Sequence, residues 1–186
     1  MNGVGCSGKS TQAELLEKSD VGVFIHSYRY IRDYFMHDVI GYEKAKNMHL
    51  EKFLGLAALP WMLLNFEKNV RWRLKKGNNI VIDHWLGDIW ADCPLDLDLF
   101  EDFLKNLEYP LFSEGYHIYL DIGSETLFKR AKQRDNMDKD DINIDEFYLK
   151  RNIYREMARN GYLIQVDGNR SPEQVHQHIK EIICEP

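Results

Sequence analysis

Residues 3–10, inside the opening stretch MNGVGCSGKST, spell G-x-x-x-x-G-K-S. This is the spacing of a loop that holds phosphates. Gly3 and Gly8 permit backbone angles that a side chain forbids, so successive N–H groups can point into one concavity. A helix after Gly8 adds its positive N-terminal end. Lys9 brings a mobile cation to the outer phosphates, and the Ser10 hydroxyl can ligate Mg²⁺. The candidate nucleotide contacts of the loop are Gly3, Gly5, Cys6, Ser7, Gly8, Lys9, Ser10 and Thr11. A glycine-rich turn carrying GKS by chance is the plain alternative, and the helical propensity of residues 11–18 (TQAELLEK) argues against it.

A second group with chemistry to offer is Asp83, the last residue of the apolar run NNIVID. The carboxyl ends of parallel strands face the ligand crevice. An acid there binds Mg²⁺ directly or through water, accepts a proton from an attacking oxygen, or simply caps the following turn.

These groups must be positioned by a framework. VGVFIHSY (21–28), NNIVID (78–83), GYHIYLDIG (115–123) and GYLIQVDG (161–168) read as four strands. Helical patterns lie between them: 43–76 with Gly77-Asn78 as a stop, 95–107, a helix capped by Ser124 and running to about Arg134, and 146–160. Residues 135–145 are polar and acidic and read as a loop. Ser171-Pro172-Glu173-Gln174 opens a last helix with a capping box and proline at the first helical position. Strands separated by helices predict an α/β three-layer sandwich around a parallel sheet.

The phosphate loop normally follows a central strand, yet only Met1 and Asn2 precede it. Two readings stay open: the sequence is a piece of a longer protein, or the sheet manages with its remaining strands.

At 186 residues and 44% hydrophobic, the chain suffices for one domain, 1–186. The net charge of −6 disfavours nucleic acid or anionic lipid as a partner through bulk charge. Cys6, Cys93 and Cys184 are far apart and form no metal-ligand pattern, which fits a reducing cytoplasm. The longest apolar stretch, FLGLAALPWMLL (53–64), is too short to span a bilayer and contains Pro60.

In order along nearly the whole chain, the sequence resembles the thymidylate kinases. GVGCSGKSTQAELL resembles their opening, and Lys75-Lys76-Gly77 followed by IVIDHW resembles the strand that closes in Asp-Arg. YLDIGSETLFKRAKQRD resembles the strand and helix leading into the lid, and YLIQVDGNRSPEQVHQHI the final strand, adenine-side loop and last helix. The resemblance implies a P-loop kinase fold, a lid near 134–147, ATP with Mg²⁺, phosphoryl transfer to a nucleoside monophosphate (dTMP or another dNMP) and a homodimer. It implies that Lys9 stabilises the transferring phosphoryl, that Ser10 and Asp83 serve the metal, and that Arg134 meets phosphate or adenine. It also places Asn169 and Arg170 beside adenine, with Arg29 as the main contact of the acceptor and Arg32 as the second.

The sequence departs from that pattern at Gly5, where the family commonly has an acid, and at Cys6, where some members have arginine. His84 replaces the arginine of Asp-Arg, no arginine lies near Leu63, and the lid is acidic (Asp138, Asp140, Asp141, Asp145). His84 and Trp85 then become candidate acceptor contacts, although a structural hydrogen bond for His84 and a core position for Trp85 are equally open. Each departure removes a charge-assisted bond. Two alternatives therefore stand beside the monophosphate kinase: a deoxynucleoside kinase with Asp83 as base, and a non-catalytic nucleotide-binding protein.

Overall fold

A computed structural model of the chain describes residues 1–19, 21, 23–26, 64, 66–84, 86–92, 115–135 and 142–184. Arg29, Arg32, Trp85, Cys93, the helical readings at 43–63 and 95–107, and the lid residues 136–141 lie outside the described residues. Contacts divide the chain into two compact units: Met1–Gln12 with Leu95–Pro186, and Ala13–Pro94. Helix α1 (Lys9–Lys18) begins in the first and continues into the second.

Within the Ala13–Pro94 unit, β1 (Val23–His26) and β2 (Ile80–Asp83) pair in parallel, with Val23 opposite Ile80 and His26 opposite Asp83. A π-helical stretch, Phe66–Arg71, runs into the short α2 (Trp72–Lys75). The predicted stop is present. Gly77 takes φ 79°, its N–H reaches Leu74 O at 2.9 Å, and the Asn78 N–H reaches Arg73 O at 3.1 Å. These paired bonds satisfy the last carbonyls of the helix and turn the chain toward β2. Helix α3 (Leu86–Asp92) follows β2 and buries Trp90 and Ala91.

In the other unit, β3 (Ile118–Asp121) and β4 (Ile164–Asp167) are parallel, pairing Ile118 with Ile164 and Asp121 with Asp167. All four β3 residues are buried, as an apolar strand covered on both faces requires. All four strands read from the sequence are thus present among the described residues, and both pairs are parallel. Ahead of the phosphate loop, Asn2 alone takes a strand-like pairing. It bridges Tyr119 in parallel, through Asn2 N to Ile118 O at 2.8 Å and Leu120 N to Asn2 O at 3.0 Å.

Helices α4 (Ser124–Asp135), α5 (Ile144–Arg159) and α6 (Pro172–Cys184) complete this unit. Phe147, Tyr154 and Met157 form the buried stripe of α5, and Val175 with Ile179 that of α6. The capping box of α6 closes as expected: Ser171 N–H donates to Gln174 Oε1 at 3.2 Å and Gln174 N–H to Ser171 Oγ at 3.3 Å.

Two local readings are corrected. Ser124 is the first helical residue of α4, not its cap. Gly123 O accepts the Leu127 N–H at 3.0 Å, and a remote residue, Asn169, supplies the cap by accepting from Gly123 N and Thr126 Oγ1. The polar segment 135–145 is also shorter than a whole loop. Asp135 still belongs to α4, and Asn143 caps α5 by accepting the Glu146 N–H at 3.0 Å, which places Asp145 in a helical first turn. An acid there complements the helix dipole.

One buried carboxylate ties these elements together. Asp121 Oδ1 accepts Tyr119 OH at 2.9 Å and Arg151 Nε at 2.7 Å. Asp121 Oδ2 accepts Arg155 Nε at 3.0 Å, Arg155 Nη2 at 2.7 Å and Gln165 Nε2 at 2.9 Å. Burial pushes the Asp121 carboxyl up, but its bonds to Arg151, Arg155 and Tyr119 outweigh that and hold it below the usual carboxylate range. Burial, with the Asp121 charge beside it, pushes the Tyr119 phenol well above its ordinary value, so it remains a donor.

A depressed folded-state value means that this stabilisation is complete above the unfolded carboxyl's pKa of about 3.9 and is lost as pH falls through the folded value. Asp121→Asn leaves two guanidiniums without their carboxylate and is expected to cost about 3 kcal/mol at neutral pH. In urea unfolding from about pH 3 to pH 7 it should also flatten the acid limb. An unchanged acid limb would contradict the network's role.

Candidate nucleotide site

The phosphate loop adopts the backbone its glycines imply. Gly3 has φ 150° and Gly8 φ 100°, and Cys6 between them also lies in the left-handed region at φ 58°. Gly3 is required twice over. Besides its φ, a Cβ there would stand 2.7 Å from Ser7 Oγ and 3.1 Å from Leu120 O. Gly5 differs, since a Cβ added to it meets no atom within 4 Å. The loop leaves space at the position where the resembled family commonly carries an acid.

Lys9 opens α1 and is buried. Its Nζ donates to Gly3 O at 2.6 Å and Val4 O at 3.1 Å, so the ammonium folds back over the carbonyls of its own loop. A buried charge needs such partners, and an arriving phosphate offers better ones. Tyr154 OH also reaches Gly3 O, at 3.4 Å, and the Tyr154 ring stacks on Tyr119 with centroids 5.0 Å apart. Ser10 is half-buried and Thr11 exposed in the first turn of α1.

The residue that sequence reasoning missed is Arg130. Its Nη1 donates to Ser7 O at 2.9 Å and Cys6 O at 3.3 Å, and its Nη2 to Gly168 O at 2.7 Å and Arg170 O at 3.4 Å. One guanidinium thus holds the phosphate loop and the turn after β4 through carbonyls. Burial lowers its pKa, partly offset by the nearby Cys6. The available signal was spacing: Arg130 lies one helical turn before Arg134 on α4. Arg134 itself is exposed at the end of α4.

Asn169, the expected neighbour of adenine, has its amide engaged on both sides. Its Oδ1 caps α4, and its Nδ2 donates to Asp167 Oδ1 at 2.7 Å. Arg170 Nε pairs with Asp167 Oδ2 at 3.3 Å at the surface.

In the Ala13–Pro94 unit, Asp83 ends β2 and is fully buried. His84 follows in the left-handed region at φ 55°, a conformation that stores strain in a non-glycine residue. His84 Nδ1 lies 3.0 Å from Asp88 Oδ2, and its Nε2 3.9 Å from Asp83 Oδ2, so the imidazole faces two buried carboxylates. His84 therefore sits against the Asp88 carboxylate as well as beside Asp83.

Among the described residues no group of three or more His, Cys, Asp or Glu could hold a metal ion. That is compatible with Mg²⁺ carried by a nucleotide, which takes one or two protein oxygens and completes its shell with phosphate and water. The Ser10 hydroxyl, one residue after Lys9 at the start of α1, suits such a role. Among the described residues no helix is long and apolar enough to cross a membrane.

The contrast between two glycines is testable. Gly3→Ala should destabilise the chain by about 2 kcal/mol, from left-handed strain and the Ser7 contact. Gly5→Ala should stay within about 0.5 kcal/mol of the parent in the same urea titration.

No protein-family model matches the chain, and no curated protein matches it. Solved structures do. A deoxyadenosine kinase from M. mycoides with the products dCMP and a flexible dCDP bound is 20% identical, with a TM-score of 0.61 over 97% of this chain and 95% of that one. The same kinase with bound dATP gives 20% identity and a TM-score of 0.60 over the same shares, 97% and 95%. The chain therefore has the fold of these kinases, an α/β arrangement of parallel strands and helices with the phosphate loop at its first helix.

Proposed function

We propose that this chain is an ATP-dependent kinase that phosphorylates a deoxynucleoside. The observation that carries the reading is the phosphate loop itself. Its two glycines stand at positive φ, the backbone such a loop requires, and its lysine rests on loop carbonyls that a phosphate can replace. The nucleoside acceptor is favoured by what the chain lacks for a monophosphate: no acid at Gly5 and no arginine after Asp83. The likeness in fold to deoxyadenosine kinases supports the same choice.

In this reading the acceptor's hydroxyl oxygen attacks the γ-phosphorus, the bond from that phosphorus to the bridging oxygen of ADP breaks, and the hydroxyl proton passes to a carboxylate. Asp83 is the proposed base. Lys9 meets the charge that develops on the transferred group. Ser10 would hold Mg²⁺, whose charge would offset that of the phosphate oxygens. Arg130 is a positioning residue that fixes the loop. Arg134, Asn169 and Arg170 stand toward the ATP side, and Arg29, Arg32, His84 and Trp85 toward the acceptor. The chain works as one kinase domain, as a homodimer in the cytoplasm.

A second reading retains the monophosphate acceptor, dTMP or another dNMP, on the strength of the ordered segments YLDIGSETLFKRAKQRD and YLIQVDGNRSPEQVHQHI. A third keeps only nucleotide binding.

ADP release measured across deoxynucleosides and deoxynucleoside monophosphates separates the three. Turnover should occur with a nucleoside and fall at least about 10³-fold in Lys9→Ala. Turnover with monophosphates alone would replace the first reading by the second, and ATP binding without turnover would leave the third. Arg130→Gln breaks the contact between loop and turn. It should raise KM for ATP by about tenfold while leaving KM for the acceptor within about twofold.

A further inference from the structure

A second place in the Met1–Gln12, Leu95–Pro186 unit has the chemistry to hold an anion. A cavity of about 440 Å³ opens beside the carboxyl ends of β3 and β4, and its lining includes Asp121, Arg151, Arg155 and Arg170. Neither Lys9 nor Arg130 lines it.

The charges do not balance. Asp121 is saturated: it accepts five hydrogen-bond contacts on two oxygens, three of them from two guanidiniums. It neutralises one of those two cations and has no lone pair left for another donor. Asp167, also in the lining, is matched by Arg170 at 3.3 Å. Three guanidiniums therefore face two carboxylates, while His178 in the same lining is matched by Glu181 at 3.5 Å.

The donors are also incompletely used. Among the described residues, Arg151 bonds Asp121 through Nε and also meets the Tyr119 hydroxyl, Arg155 bonds Asp121 through Nε and Nη2, and Arg170 bonds Asp167 through Nε only. Their remaining guanidinium N–H groups are carried on side chains from α5 and from the turn after β4, so they reach one cavity from two elements. The Asp121 bonds fix the Arg151 and Arg155 forks before any ligand arrives, which lowers the ordering cost of binding.

We propose that this cavity is an oxyanion site for a phosphate group, separate from the phosphate loop. A tetrahedral anion with several acceptor oxygens suits guanidinium forks that converge from different elements. The cavity is wider than a single phosphate, so the group can be free phosphate or the tail of a nucleotide. The inference rests on the Asp121 network and the cavity, not on the kinase reading.

The test uses the full-length Lys9→Ala chain, which is weakened at the loop, titrated calorimetrically at low ionic strength with inorganic phosphate and, separately, with ATP. Saturable binding of phosphate to Lys9→Ala is expected. Adding Arg155→Gln should weaken it by about tenfold, as loss of a charge-assisted bond does. Adding Arg155→Lys should restore part of the affinity. Similar affinities for phosphate and ATP identify the free anion, and ATP tighter by tenfold or more, with that gain lost on Arg155→Gln, identifies a nucleotide tail.

Absence of saturable binding in Lys9→Ala overturns the site, as does unaltered binding after Arg155→Gln. Should Arg155→Gln fail to fold, Arg170→Gln, at the exposed rim, provides the second variant. An unchanged affinity there overturns the site equally. Loss of kinase activity in Lys9→Ala with phosphate binding retained separates this site from the loop, and an inactive parent chain that still binds phosphate leaves the site standing without the kinase.

Discussion

The Asp121 carboxylate is the constraint on which one whole unit depends. A charge buried at the end of an apolar strand is tolerable only if donors surround it. Here they come from β3 itself, from two positions one turn apart on α5, and from β4. Satisfying that one group fixes the rotation of α5 over the strands. With α5 so set, Tyr154 stacks on Tyr119 and places its hydroxyl at Gly3 O. The support of the phosphate loop thus begins at a carboxylate that touches none of it.

The loop is supported from the other side by a cation. Arg130 crosses from α4 to carbonyls at Cys6 and Ser7, and at Gly168 and Arg170. Carbonyls carry only partial negative charge, so the guanidinium retains most of its field in a partly buried place. Together with Lys9 and the N-terminus of α1, it brings positive charge to the loop in a chain whose net charge is −6.

Much of this framework was legible in the sequence, and the legible parts share a cause. The four strands, the stop at Gly77-Asn78 and the Ser171 to Gln174 box are local: an apolar run, a residue that tolerates positive φ, and a reciprocal bond three residues apart. What escaped is long-range. Asn169 caps α4 from 46 residues away in the chain, displacing Ser124 from the cap. Arg130 finds the phosphate loop 123 and 124 positions away. Nothing in a window of residues encodes such partners. A hint did exist at Asp121, since a carboxylate closing the apolar run HIYLD needs cations, and Arg151 and Arg155 lie four apart on one helix face. The conformation of the loop was legible at Gly3 to Thr11, in its positive-φ glycines and the helix that follows. His84 illustrates the limit: its identity was read as a lost arginine, while its left-handed backbone and its approach to Asp88 are visible only in three dimensions.

The grip of Arg130 on two segments has a mechanical consequence. A planar guanidinium is rigid, and its two terminal nitrogens are a fixed distance apart. With one nitrogen on the carbonyls of the loop and the other on those of the turn after β4, it acts as a calliper between them. Neither segment can shift without dragging the other or giving up hydrogen bonds. A molecule that touches both ends would meet a gauge already set to length, and drift in either segment over evolution would have to be matched in the other as long as this arginine is kept.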